Sequence, residues 1–146
     1  MILRGLLVVA ALALLYGCGS TTSAARSFST GAIQVTNVWV RAAGENGAAY
    51  ATITNSGSES DKLLRVASDS VEAVELHTST DDHGVMKMNP VDGIDIPARA
   101  TVALRSGHYH AMLIGIREAL EPGTTTRLTL EFEKAGELVV EAEVRP

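Results

Sequence analysis

An all-β sandwich or Greek-key barrel is the fold class that three features of this chain predict. From residue 33 onward, β-branched residues come in short runs with apolar and polar side chains alternating at period two. Turn residues interrupt these runs repeatedly, at Asn55-Ser56-Gly57-Ser58, Asp81-Asp82-His83-Gly84, Glu121-Pro122-Gly123 and Ala135-Gly136. No stretch after the leader keeps a 3.6-residue apolar period for more than about a turn of helix. The pattern yields about nine strands in one domain, with no internal repeat.

The first strand is expected over 33–41 (IQVTNVWVR), followed by a loop at Gly44-Glu45-Asn46-Gly47. The run AYATIT at 49–54 alternates into a second strand, and 62–67 and 71–77 supply two more. The Asp81–Gly84 turn leads into a strand at 85–88, and Pro90 and Pro97 bracket a loop around Gly93. A strand at 101–104 is turned by Ser106-Gly107 into 109–116, whose end is crowded by Leu113, Ile114 and Ile116. In 126–132, Leu128, Leu130 and Phe132 share one face while Arg127, Thr129 and Glu131 share the other. Ala135-Gly136 joins that strand to 138–144 as a hairpin.

A length of 146 residues suits one folded unit, and 46% hydrophobic residues suffice for a core. With aromatics at only 4%, that core must be built from Val, Leu, Ile and Ala. The net charge of −5 and the lack of a basic block argue against nucleic acid and anionic membrane surfaces as partners.

Residues 1–18 are expected to be a lipoprotein-type signal peptide. Arg4 supplies its positive start, and the apolar run LLVVAALALL at 6–15 is too short to span a bilayer. Leu15-Tyr16-Gly17-Cys18 resembles a bacterial lipobox, in which Cys18 is lipidated and becomes the mature N-terminus. Tyr16 is unusual at its position, and the competing reading is a plain secretory peptide or uncleaved anchor in which Cys18 is incidental. Cys18 is the one cysteine, so no internal disulfide can form. The small, polar stretch 19–32 reads as a flexible tether to a β-domain at 33–146. The expected location is extracytoplasmic, in the periplasm or at the cell surface, with the membrane touched only through a lipid anchor.

The window 77–112 holds all four histidines (His77, His83, His108, His110) and every methionine except Met1 (Met86, Met88, Met112). Imidazole and thioether are donors that soft and borderline metals prefer, Cu(I) above all. Strand geometry lets His108, His110 and Met112 point to one face, and lets Met86 and Met88 share a face of theirs. His77 can lie across the hairpin from Met88, so His77, Met88, His110 and Met112 can meet without strain. Zinc sites seldom use thioethers. A blue-copper electron-transfer site needs a Cys thiolate, and none is free here. The set therefore points to Cu(I), one per chain. Against it stands the common use of a strand methionine as core filler. His83 reads as an exposed turn residue. Met86 and His108 are candidates for an outer layer around the four ligands, or for packing and surface roles. Asp81 and Asp82 either lend the rim a negative field or only solvate the turn.

The spacing His77-x10-Met88-x21-His110-x-Met112 resembles the H-x10-M-x21-H-x-M pattern of the periplasmic copper chaperones called PCu(A)C. The similarity spans nearly the whole domain, including Trp39-Val40-Arg41, Thr52-Ile53-Thr54-Asn55, Val74-Glu75-Leu76-His77, Gly107-His108-Tyr109-His110-Ala111-Met112-Leu113 and Leu128-Thr129-Leu130-Glu131-Phe132. Two positions depart from it. Thr78 stands where some members have Met, and His108 where the family often has Gly.

The resemblance implies a cupredoxin-like β-barrel with an exposed Cu(I) site at one end. It also implies delivery of copper to cytochrome c oxidase, often together with a Sco-type thiol protein. Periplasmic copper buffering or resistance without a dedicated client is the alternative, and a metal-free adhesion or carbohydrate module is a third reading. No constellation of catalytic groups can be placed in one site, so an enzyme is not expected.

Overall fold

The computed structural model describes residues 26–146. The expected signal peptide at 1–18, Cys18 and the first half of the tether at 19–32 lie outside those residues. The described residues contain eleven strands and no helix. They are β1 (Ser27–Thr30), β2 (Ile33–Ala43), β3 (Asn46–Asn55), β4 (Asp61–Ala67), β5 (Val71–Asp82), β6 (Val85–Pro90), β7 (Ile94–Ile96), β8 (Thr101–Leu104), β9 (His110–Ile116), β10 (Thr125–Phe132) and β11 (Gly136–Arg145).

The strands hydrogen-bond in the order β6-β5-β9-β3-β2-β11-β10-β4-β7, with β1 added beside β2 and β8 beside β3. β11 runs parallel to β2. The other pairings are antiparallel. The sheet curls until β4 lies near β5 and β7 near β3, which encloses one core. Period-two alternation sends Ala49, Ala51 and Ile53 of β3, Ala111 and Leu113 of β9, and Leu128, Leu130 and Phe132 of β10 into it. Their neighbours, including His110, Met112, Ala48 and Tyr50, take the outer face.

One bulge decides what that outer face carries. In β2 the buried positions change from Ile33 and Val35 to Val38 and Val40. Asn37, with φ of 49°, sits at the register shift between Thr36 and Trp39. Asn is among the few residues that tolerate this left-handed backbone, and the extra residue reverses the inward parity. Trp39 and Arg41 therefore face outward, on the same side as Tyr50 and Met112. Trp39 stacks on Tyr50 with ring centroids 4.3 Å apart.

Two strands form where none were expected. Ser27–Thr30, inside the expected tether, pairs with 33–36 of β2, and Phe28 packs against the core. A single apolar residue among small polar ones leaves no period from which a strand could be read. Ile94–Ile96, inside the expected loop, pairs with 61–63 of β4 and buries both isoleucines. Three residues are too few to show alternation. β5 also continues five residues beyond the expected end at His77, to Asp82.

The far end of β2 and β3 from residues 41–48 is closed by two buried polar side chains. Asn55 donates to the carbonyls of Glu59 and Ile96 and accepts from the Gly57 N–H. The Asp61 carboxylate accepts from the backbone N–H groups of Lys62, Lys134 and Ala135 at 2.8–2.9 Å.

Candidate metal centre

β5, β9 and β6 bring the candidate ligands together. His77 of β5 lies directly opposite His110 of β9, so both rings project from the same face. Their centroids are 5.7 Å apart at an interplanar angle of 73°. A metal about 2 Å from an imidazole nitrogen lies roughly 3 Å from the ring centre, so two rings on one ion have centres no more than about 6 Å apart. The observed pair meets that limit.

Met112 follows His110 by two residues on the same face, opposite Glu75 on β5 and Ala48 on β3. Met88 of β6 pairs with Ser79 rather than with His77, which faces Pro90. The shift arises because the hairpin closes over His83 and Gly84, both with positive φ (54° and 85°), as a two-residue primed turn requires. Met88 is thus one diagonal step from His77, within reach of a long thioether side chain. Met88, His110, Met112 and Ser79 line one groove of about 360 Å³, together with Arg41, Gly47, Ala48, Tyr50 and Gly107. Gly47 keeps this wall close, since a Cβ there would stand 2.6 Å from the Arg41 carbonyl oxygen.

Hydrogen bonds assign the nitrogens. The carbonyl of His108 can only accept, so its 3.1 Å contact makes Nδ1 the protonated nitrogen of a neutral His110 and leaves Nε2 with the lone pair. The Glu75 carboxylate lies 2.9 Å from His77 Nε2, so in the neutral ring Nε2 carries the proton and Nδ1 the lone pair. His77 Nδ1 is buried and has no partner, and it is the only such side-chain nitrogen or oxygen among the described residues. Buried polar atoms without partners are rare and costly. His77 shares the outer face with His110 and Met112, its ring edge-on to that of His110, though it is not among the residues that line the groove. A metal held between the two rings would give Nδ1 a bond.

The donors differ in access. His110 is 5% exposed and Met88 61% exposed, so the imidazoles form a fixed floor and Met88 an open rim. No group of three or more His, Cys, Asp or Glu among the described residues could hold a metal ion. The further side-chain donors beside the two imidazoles are the thioethers of Met88 and Met112, a donor type that soft metals prefer.

The other sequence candidates lie further out. Met86 pairs with Asp81, its terminal methyl near Gly107 at the groove edge. The imidazole of His108 is on an exposed residue, while its carbonyl holds both His110 Nδ1 and the Ser79 N–H. His83 occupies the hairpin turn, with its side chain 98% exposed. Asp81 accepts from the Gly84 N–H, and Asp82 pairs with Lys87. Both acids thus serve the hairpin. The reading of the chain missed Glu75, although its i, i+2 spacing from His77 on one strand already placed it on the same face.

The chain matches the family described as "Putative lipoprotein LpqE-like" over residues 33–144. It is 33% identical over 102 residues to "Putative lipoprotein Lxx21020" of Leifsonia xyli subsp. xyli, a match over 68% of this chain and 61% of that protein. The chain therefore spans less than two thirds of that relative's length. Among solved structures it resembles the copper-bound PCuAC domain from PmoF2 (TM-score 0.72, 28% identity, 82% of this chain and 97% of that one). It also resembles CuI-DR1885 from Deinococcus radiodurans in solution (TM-score 0.65, 28% identity, 87% of this chain and 85% of that one). The fold is all-β and cupredoxin-like, as expected. With its β-domain matched almost end to end, the chain belongs to the LpqE-like family and is built on a PCuAC domain.

Proposed function

We propose that this protein is an extracytoplasmic Cu(I) carrier that binds one ion per chain and passes it to an acceptor by ligand exchange. The ligands are His77 Nδ1, His110 Nε2, Met88 Sδ and Met112 Sδ. The observation that carries this reading is the unpartnered, buried Nδ1 of His77, whose ring lies edge-on to that of His110 on the strand that carries Met112. Two imidazoles and two thioethers are neutral, soft donors that suit Cu(I). They complete its coordination and leave no position for an activated water, so the reading is a carrier and not an enzyme. The copper-bound state of the PmoF2 and DR1885 domains supports the choice of metal. The exposed Met88 supports the choice of transfer, since it can leave the ion first while the two imidazoles still hold it.

Cu(I) competition titration at neutral pH tests the site. Replacing Met88→Leu and Met112→Leu together should weaken binding by more than the roughly 10–100-fold that losing an outer partner of a metal site costs. Wild-type affinity in the double variant would show the site to be wrong. X-ray absorption on the loaded protein should count two nitrogen and two sulfur neighbours.

The acceptor we infer from the family resemblance is the copper site of cytochrome c oxidase, reached directly or with a Sco-type thiol protein. A deletion strain separates this from buffering. Oxidase activity lost and restored by added copper favours delivery, whereas copper sensitivity with normal oxidase favours sequestration. The lipoprotein names of the family and of the Leifsonia relative support a lipid anchor at Cys18. Cys18→Ser should release the protein from the membrane fraction.

A further inference from the structure

We propose that Glu75 is a positioning residue for the copper site, holding His77 as the Nε2–H tautomer so that Nδ1 presents its lone pair to the ion. The inference rests on the carrier reading and deepens it. Glu75 and His77 are two residues apart on β5 and share its outer face. The carboxylate oxygen stands 2.9 Å from Nε2, the distance of a charge-assisted hydrogen bond. An ionised carboxylate can only accept, so the proton of the neutral ring must sit on Nε2. The opposite nitrogen is the buried one without a partner.

Without Glu75, no acceptor in the fold would hold the proton on Nε2, and the ring would be free to turn and present either nitrogen to water. The carboxylate also makes the imidazole a stronger donor, as carboxylates behind metal-bound histidines do. Glu75 is also the cross-strand neighbour of Met112.

His110 is held the other way round, with Nδ1 bonded to the His108 carbonyl. The two imidazoles thus offer different nitrogens, Nδ1 from one and Nε2 from the other. The two supports also differ in kind. A backbone carbonyl cannot be removed by substitution, whereas Glu75 is a half-exposed side chain that can be changed without disturbing the core.

Long-range proton–nitrogen NMR on the metal-free protein reads the tautomers directly. The expected result is Nε2–H for His77 and Nδ1–H for His110. Glu75→Ala should turn His77 into a mixture of tautomers, leave His110 unchanged as an internal control of folding, and weaken Cu(I) binding about tenfold, the lower end of the range for such partners. Glu75→Gln, whose amide can accept from Nε2–H or donate to a bare Nε2 and carries no charge, should keep the ring in place but fall between wild type and Glu75→Ala in both tautomer bias and affinity. An Nδ1–H tautomer of His77 in the wild type overturns the proposal, as does a Glu75→Ala protein with tautomer and affinity both unchanged. If Glu75→Ala shifts the tautomer while the Met88→Leu, Met112→Leu double variant still binds Cu(I) normally, the four-ligand site fails and the positioning of His77 by Glu75 stands.

Discussion

At one end of β2 and β3, Asn55 and Asp61 are buried with their hydrogen-bonding atoms partnered; at the other, His77 keeps a buried nitrogen with none. Each end carries a groove of similar size, about 320 and 360 Å³. The difference is in what the polar groups face. Asp61 faces three backbone N–H groups of this chain, and its chemistry is complete within the fold. His77 shares its face with another imidazole and the Met112 thioether, neither of which can donate a useful hydrogen bond to Nδ1. Cavity size therefore says little about which end is functional. The state of the polar atoms says a great deal.

The largest effect should come from damaging the satisfied end. Asp61→Ala strips three buried or half-buried N–H groups of their acceptor and should lower unfolding free energy by about 3 kcal/mol or more in urea titrations. Cu(I) affinity of the folded fraction should not change. A variant that lost copper affinity in proportion to stability would join the two ends and break the contrast.

His77→Phe should do the reverse. It removes the nitrogen that lacks a partner along with the Glu75 bond, so stability should stay within about 1 kcal/mol of wild type, the lost bond being offset by the removed desolvation penalty. Copper binding should fall by more than about 100-fold, equivalent to roughly 2.8 kcal/mol. A destabilisation as large as that of Asp61→Ala would mean that His77 is structural.

Loading with metal supplies the next test. At a free Cu(I) concentration about 100 times the dissociation constant, linkage gives roughly 2.7 kcal/mol of added stability. The increment should be the same in Asp61→Ala as in wild type and below about 0.4 kcal/mol in His77→Phe. Thermal unfolding with and without buffered Cu(I) measures both.

How much of this was legible in the chain depends on which physical signal each part leaves. The long strands were legible because burial of alternate residues writes a period of two, as in Leu128, Leu130 and Phe132. β1 and β7 were not, since Phe28 stands alone and Ile94 and Ile96 make a single repeat. The shared face of His110 and Met112 followed from strand parity; the pairing of His77 with His110 did not, because which strands lie side by side is set by the topology. The offset of Met88 to Ser79 did not, because register is set by where the turn closes, and four residues from Asp81 to Gly84 were equally suited to it. The tautomers were out of reach altogether. They depend on Glu75 and on the His108 carbonyl, one a side chain overlooked at a plain i, i+2 spacing and the other a backbone atom that residue identity does not reveal.

The smallest effect expected is that of Met86→Leu, and it draws the boundary of the site. Met86 and Met88 share a face of β6, and both are exposed, at 51% and 61%. Chemistry alone does not tell them apart. Register does. Met88 is opposite Ser79, two residues from His77, or about 7 Å along the strand. Met86 is opposite Asp81, four residues from His77, or about 13 Å along the strand, further than a thioether spans to an ion held by His77 and His110. Its methyl group instead lies near Gly107, at the edge of the groove. Met86→Leu keeps the apolar bulk there and should change Cu(I) affinity by less than about threefold, under 1 kcal/mol. Met88→Leu, tested beside it, should lose tenfold or more, about 1.4 kcal/mol. Equal losses for the two would mean that the β5–β6 register does not decide which methionine serves the ion.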